Sequence, residues 1–138
     1  MDERPKERRR HSVKAYLKEP FLKHSDARPL RILAEYLEPR SRFAHHKIDD
    51  TVVFMGSARF VSRQEAEAGV RAAERGEADM ERARMRLASS RYYEEARELA
   101  RRLTEWSKQL PDDARRFVVC TGGGPGIMEA ANRGASDA

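Results

Sequence analysis

Two short apolar runs, each closed by a glycine, limit the folds open to this chain. Thr51, Val52, Val53, Phe54 and Met55 lie between Asp49/Asp50 and Gly56, and Arg116, Phe117, Val118, Val119 and Cys120 run into Thr121 and Gly122. Short β-branched runs bounded by turn residues read as strands buried on both faces of a parallel sheet. Parallel strands need a crossover, and the roughly 60 residues between the runs are about twice what one strand-helix-strand unit uses. The reading is an α/β chain that holds the first strands of an incomplete parallel sheet. Parallel sheets normally have four or more strands, so further strands are expected from residues beyond Ala138 or from a partner chain. The final stretch, 130–138, shows no cap, no terminal strand and no polar tail, and reads as cut.

The spare crossover length falls in 62–88, a strongly charged stretch with Ala66, Val70, Ala73, Met80, Ala83 and Leu87 as a thin apolar stripe. It reads as a helical insertion, slightly weakened by Gly69 and Gly76, that is either solvated or packed on 91–110 or on another subunit. In 91–110, Tyr92, Ala96, Leu99, Ala100, Leu103, Trp106 and Leu110 recur at helical spacing and predict a core-facing helix. Ahead of the first strand, 1–11 is polar and expected to be disordered. A short helix over 12–24 is expected with Ser12 as cap and Pro20 interrupting it. A better helix is expected from Asp26, its cap, through Leu30, Leu33, Ala34 and Leu37 to Pro39, followed by a linker over 40–50. The domain reading is a basic extension (1–25), a helix and linker (26–47) and the α/β part (48–138).

Chemistry is most concentrated in Thr121, Gly122, Gly123, Gly124, Pro125 and Gly126, directly after a strand and before a helix expected from about Pro125. Glycines let backbone N–H groups approach an anion without an intervening Cβ. Pro125 suits a first helical turn, and the helix N-terminus adds unpaired donors and partial positive charge, a seat for phosphate. The spacing matches neither the P-loop, which ends in Gly-Lys-Ser/Thr, nor the dinucleotide fingerprint, since Ile127 stands where a third glycine belongs. A tight turn without a ligand is the alternative. Gly56, Ser57 and Arg59 follow the other strand. Ligands of open parallel sheets bind beyond the strands' carboxyl ends, so the two loops are expected to face one crevice. There Ser57 offers a hydroxyl or N–H, and Arg59 a cation for phosphate or carboxylate; Arg59 as a plain surface residue stays open. Glu129 either complements the helix dipole or binds ribose hydroxyls or a base. Asn132 and Arg133 read as surface or packing positions, and Cys120 as a small core residue.

Composition excludes several classes. The chain has no apolar run of about 18 residues and no signal-like stretch, so neither a membrane partner nor secretion is indicated. One cysteine among 138 residues rules out an internal disulfide framework and suits a reducing cytoplasm. The paired His45 and His46 have no third ligand at metal spacing, so no metal is expected. Residues 1–47 hold 13 Lys/Arg against 7 Asp/Glu, and 48–138 hold 15 against 16, which confines the basic excess to the leading extension. That arm is read as a solvated tail. Without interleaved aromatics or zinc spacing, a nucleic-acid partner is disfavoured.

Three stretches together resemble a known family: 53–59, the helix opening Arg91, Tyr92, Tyr93, Glu94, Glu95, Ala96 and Arg97, and the run 118–135. Over 26–138 the chain is similar to the LOG (Lonely Guy) family, long labelled possible lysine decarboxylases. The resemblance implies a Rossmann-like fold, homo-oligomeric assembly, and hydrolysis of the N-glycosidic bond of a nucleoside 5′-monophosphate. AMP or an N6-modified AMP would give free base and ribose 5-phosphate, with no cofactor. It implies that Gly56, Ser57, Arg59, residues 122–126 and Glu129 line the nucleotide crevice, with Glu129 the one candidate for a catalytic role. The family's second motif, Pro-Gly-Gly-x-Gly-Thr-x-x-Glu, supplies phosphate contacts and the main catalytic carboxylate, and no Pro-Gly-Gly occurs in these 138 residues. The expectation is therefore the N-terminal portion of a phosphoribohydrolase, inactive alone. A non-catalytic nucleotide-binding or oligomerisation module is the alternative.

Overall fold

A computed structural model describes residues 13–111 and 113–138. Segment 1–11 and the expected cap Ser12 lie outside the described residues. The chain divides into two compact units, Met1–Arg42 and Phe43–Ala138.

In the first unit, a 3-10 turn at Ala15–Leu17 leads to α1 (Glu19–Lys23), a second such turn at Ser25–Ala27 and then α2 (Arg28–His45), whose last residues belong to the second unit. Three expectations are corrected here. Pro20 does not interrupt a helix; it stands at the start of α1, where its missing N–H costs nothing. Asp26 does not cap α2; it lies within the second 3-10 turn, and α2 begins two residues later. Pro39 does not end α2, so 40–45 is helical and not linker. Proline's fixed φ is itself helical, and an ion pair from Glu38 to Arg42 spans the position one turn apart. The Arg31 guanidinium donates to the carbonyls of Leu22 and His24, at 2.7 Å each, and ties the end of α1 to α2. Leu30, Leu33 and Leu37 form the expected stripe, but all three are exposed.

The second unit is an α/β arrangement. Strands β1 (Thr51–Phe54) and β2 (Val118–Thr121) pair in parallel, with Thr51 opposite Val118 and Phe54 opposite Thr121. Between them run α3 (Arg63–Glu74), α4 (Met80–Ser89) and α5 (Arg91–Ser107), and α6 (Ile127–Asp137) follows β2. The expectation of strands buried on both faces fails for both: β2 is half-buried along its length, and β1 is more open still. Its residues alternate between exposed and half-buried, and Val53 stays 57% exposed, because two strands present one face that no helix covers. An ion pair from Arg116 to Asp50 at 2.7 Å fixes the start of the ladder.

The charged insertion is two helices. Ser62 caps α3 by accepting from the Glu65 N–H at 3.2 Å, in the Ser-x-x-Glu spacing of a capping box. Gly76, at φ 80°, ends it: the N–H groups of Gly76 and Glu77 return to the carbonyls of Ala73 and Ala72, a Schellman closure. Asp79 then caps α4 through the Arg82 N–H at 2.6 Å. Ala66, Ala73 and Ala83 are buried, as the stripe predicts.

In α5 the core face is displaced from expectation. Ala100 is buried as expected, but Tyr92, Leu99 and Trp106, spaced one heptad apart, are exposed, and Tyr93, outside the expected stripe, is buried. The reason is α6, which packs closely on α5 through small residues. Ala100, Ala130 and Ala131 are fully buried, and a Cβ on Gly134 would overlap the Arg97 carbonyl oxygen. Arg97 also pairs with Asp137 at 2.7 Å across the two helices. On the outer side of α5, hydrogen bonds from Arg101 and Arg102 hold the Glu98 carboxyl down at about 2. No helix among the described residues is long and apolar enough to cross a membrane.

Gly134→Ala is expected to destabilise the second unit by about 3 kcal/mol or more, because backbone and not a yielding side chain occupies the space. The exposed neighbour Ser136→Ala is expected to stay within about 0.5 kcal/mol. Urea midpoints of the two variants check this; equal midpoints contradict the close α5–α6 contact.

Candidate functional site

The parallel pairing of β1 and β2 brings both strands' carboxyl ends to the same edge, so the loops that leave them meet. Gly126 caps α6 at φ 74°, a left-handed conformation that favours glycine, and a Cβ there would collide with the Ser57 carbonyl and the Ala58 backbone. The Ile127 N–H donates to the Ser57 carbonyl at 3.3 Å, and a Cβ on Gly56 would strike the Ile127 side chain. The helix starts at Ile127, two residues later than expected, because Gly126 has to make this contact first. The Ile127 donor is used up by the first loop, which leaves the next amides of the α6 N-terminus for other acceptors.

Within the second loop, Thr121 is the organiser. Its hydroxyl accepts from the Gly123 N–H at 3.0 Å and donates to the Asn132 Oδ1 at 3.1 Å, so the end of β2 is fastened both to the glycine turn and to α6. In the first loop, the Ser57 hydroxyl accepts from the Arg59 N–H at 3.2 Å and closes a local turn. Its own proton remains to be donated. Arg59 is exposed on that turn.

Beside the junction lies a cleft of about 260 Å³. Pro125, Gly126 and Glu129 line it from the α6 side and Ala58 and Phe60 from the first loop, whereas Gly56, Ser57, Arg59, Gly122, Gly123 and Gly124 stay outside its lining. Glu129 pairs with Arg133 one turn on at 2.6 Å. Tyr93 forms the floor at 2% exposure; burial foremost, and then the Glu129 carboxylate, push its hydroxyl above the usual tyrosine range, with Arg133 and Arg97 opposing. Its phenol therefore stays a protonated donor at neutral pH. A larger groove of about 530 Å³ runs along β2 past Ser107, Phe117 and Val119, and no residue of either glycine loop lines it. Cys120 is half-buried in β2 opposite Val53. No cluster of His, Cys, Asp or Glu among the described residues has the geometry to hold a metal ion.

Four residues escaped sequence reasoning. Thr121 was legible only as a strand end, since nothing in the sequence says its hydroxyl turns back onto Gly123. Asn132 and Arg133 read as surface positions, yet one orders the loop and the other faces the cleft. Apolar periodicity does not separate Tyr92 from its neighbour Tyr93; the position of α6 does. Compared with known proteins, the chain matches no family model, no curated protein and no solved structure.

Thr121→Val keeps the shape of the strand end and removes both hydroxyl bonds, each worth about 1 kcal/mol. It is expected to speed amide exchange at Gly123 while exchange in α5 holds. Gly126→Ala is expected to cost more than about 2 kcal/mol and to free the Ile127 amide. Hydrogen exchange read by NMR checks both; an unchanged Ile127 amide in Gly126→Ala contradicts the junction.

Proposed function

We propose that the unit Phe43–Ala138 carries the nucleotide-binding half of a Rossmann-like nucleoside 5′-monophosphate phosphoribohydrolase. The observation that carries the reading is the seating of Gly126 against the backbone of Ser57 and Ala58, which joins two glycine loops at the carboxyl ends of parallel strands, where open sheets bind their ligands. The LOG-like sequence of both loops, and the polar cleft next to them, support the same reading. Phosphate belongs at the α6 N-terminus, where unpaired amides and the helix dipole meet it, and the sugar extends toward Glu129.

In the reaction, water adds at the ribose C1′ as the N-glycosidic bond breaks. Its electron pair leaves with the base, which takes up a proton, and ribose 5-phosphate is the second product. A carboxylate beneath the oxocarbenium-like sugar supplies the main stabilisation. Glu129 is tied to Arg133, and the motif that brings the family's main catalytic carboxylate does not occur in these residues, so this chain binds and does not turn over by itself. A second reading, a non-catalytic nucleotide-binding or oligomerising module, is favoured by the uncovered apolar stripe of Tyr92, Leu99 and Trp106.

Calorimetry on the 138-residue chain is expected to give saturable AMP binding with Kd below about 1 mM and no ribose 5-phosphate. Adding a polypeptide that carries the Pro-Gly-Gly-x-Gly-Thr-x-x-Glu half is expected to start its release. Binding without release after that addition favours the nucleotide-binding module, and absence of AMP binding overturns the hydrolase reading and leaves the oligomerising module.

A further inference from the structure

The charged helical pair α3–α4 has no part in the reading above, yet it reaches the same cleft. Arg86 on α4 and Glu65 on α3 line it together with Glu129 and Arg133 of α6 and Tyr93 of α5. Arg86 pairs with Glu65 at 3.3 Å, as Arg133 pairs with Glu129 at 2.6 Å. Two Arg–Glu pairs from different elements therefore line one cleft of about 260 Å³.

The charges decide what fits. Two guanidinium groups and two carboxylates sum to zero, so the cleft offers no net positive charge for a phosphate, and an entering phosphate meets two like-charged carboxylates. A hydroxyl group, in contrast, donates to a carboxylate and accepts from a guanidinium, and each pair holds both partners side by side. Vicinal hydroxyls of a pentose match that arrangement, and Phe60 and Pro125 add apolar surface for its C–H face. The volume falls below the ~300–1,000 Å³ of sites that take a whole drug-sized ligand and suits one portion of a nucleotide. Both pairs are about half exposed; exposed pairs are weakly held, so hydroxyls can enter them without breaking a strong bond.

We infer that α3–α4 is a specificity element, with Arg86 and Glu65 lining a cleft that takes the ribosyl hydroxyls of the nucleotide. The inference rests on the nucleotide reading above and adds to it which portion of the ligand the insertion recognises.

The test compares AMP with its 2′-deoxy and 3′-deoxy analogues by calorimetry on the full 138-residue chain. A hydroxyl bonded to charged groups is expected to give a preference for AMP over at least one analogue of roughly tenfold. Arg86→Met is expected to reduce that preference below about threefold while both nucleotides still bind. Glu65→Gln, at the other end of the pair, reports the same ratio should Arg86→Met fail to fold. Arg59→Ala, outside the cleft lining, is expected to keep the preference whatever it does to overall affinity. A wild-type chain that binds AMP and both analogues equally, or variants that keep the full preference, overturns the role of α3–α4 and leaves the nucleotide reading standing. A wild-type chain that binds no AMP overturns both.

Discussion

Gly126 cannot carry a side chain, and much of the second unit is arranged around that fact. Its left-handed backbone turns the chain from β2 into α6 while lying against the Ser57 carbonyl and the Ala58 backbone. The contact joins two loops that are far apart in sequence, and it does so only because β1 and β2 run in parallel and in register, Phe54 opposite Thr121. Once the turn is set, the direction of α6 is set with it. Gly134, two turns along, then meets the Arg97 backbone, and Asp137 reaches the Arg97 side chain. A strand pairing, a turn and a helix contact are thus three consequences of one close approach.

The same geometry explains why α5 buries a face that its apolar pattern does not announce. Small residues let α6 come close, and the side chains beneath it are Tyr93 and Ala100, whereas the bulky Tyr92, Leu99 and Trp106 are left on the outside. Area-based hydrophobic burial favours the larger groups, so their exposure shows that the backbone approach of α6, not side-chain size, selects the inner face. The outer face of β1 at Val53 is uncovered for a related reason: a two-stranded sheet has two faces, and the helices of this unit occupy one.

Much of this was legible in the sequence where one residue decides locally. The two strands, the buried alanines of the insertion and the meeting of the two glycine loops all follow from residue type and spacing. The failures share a different cause. Pro39 was read as a stop, yet its φ is compatible with the helix and the Glu38–Arg42 pair spans it. Gly76 was read as a weak point within one arm, although its φ of 80° makes it the end of α3. Thr121, Asn132, Tyr93 and Arg86 take part in the site through tertiary neighbours, and no local pattern encodes which way a hydroxyl or guanidinium turns. The site's frame was thus readable, with Pro125, Gly126 and Glu129, and the side chains that α3, α4 and α5 bring to its cleft were not.

The central claim is that the two glycine loops act as one nucleotide site, and an AMP titration followed by amide chemical shifts of the isotopically labelled chain tests it most directly. The account predicts that Ser57 and Ala58 on one loop and Gly123, Gly126 and Ile127 on the other shift together with a single Kd, with Tyr93 and Glu129 following. Shifts confined to one loop, or to the groove along β2, would contradict it.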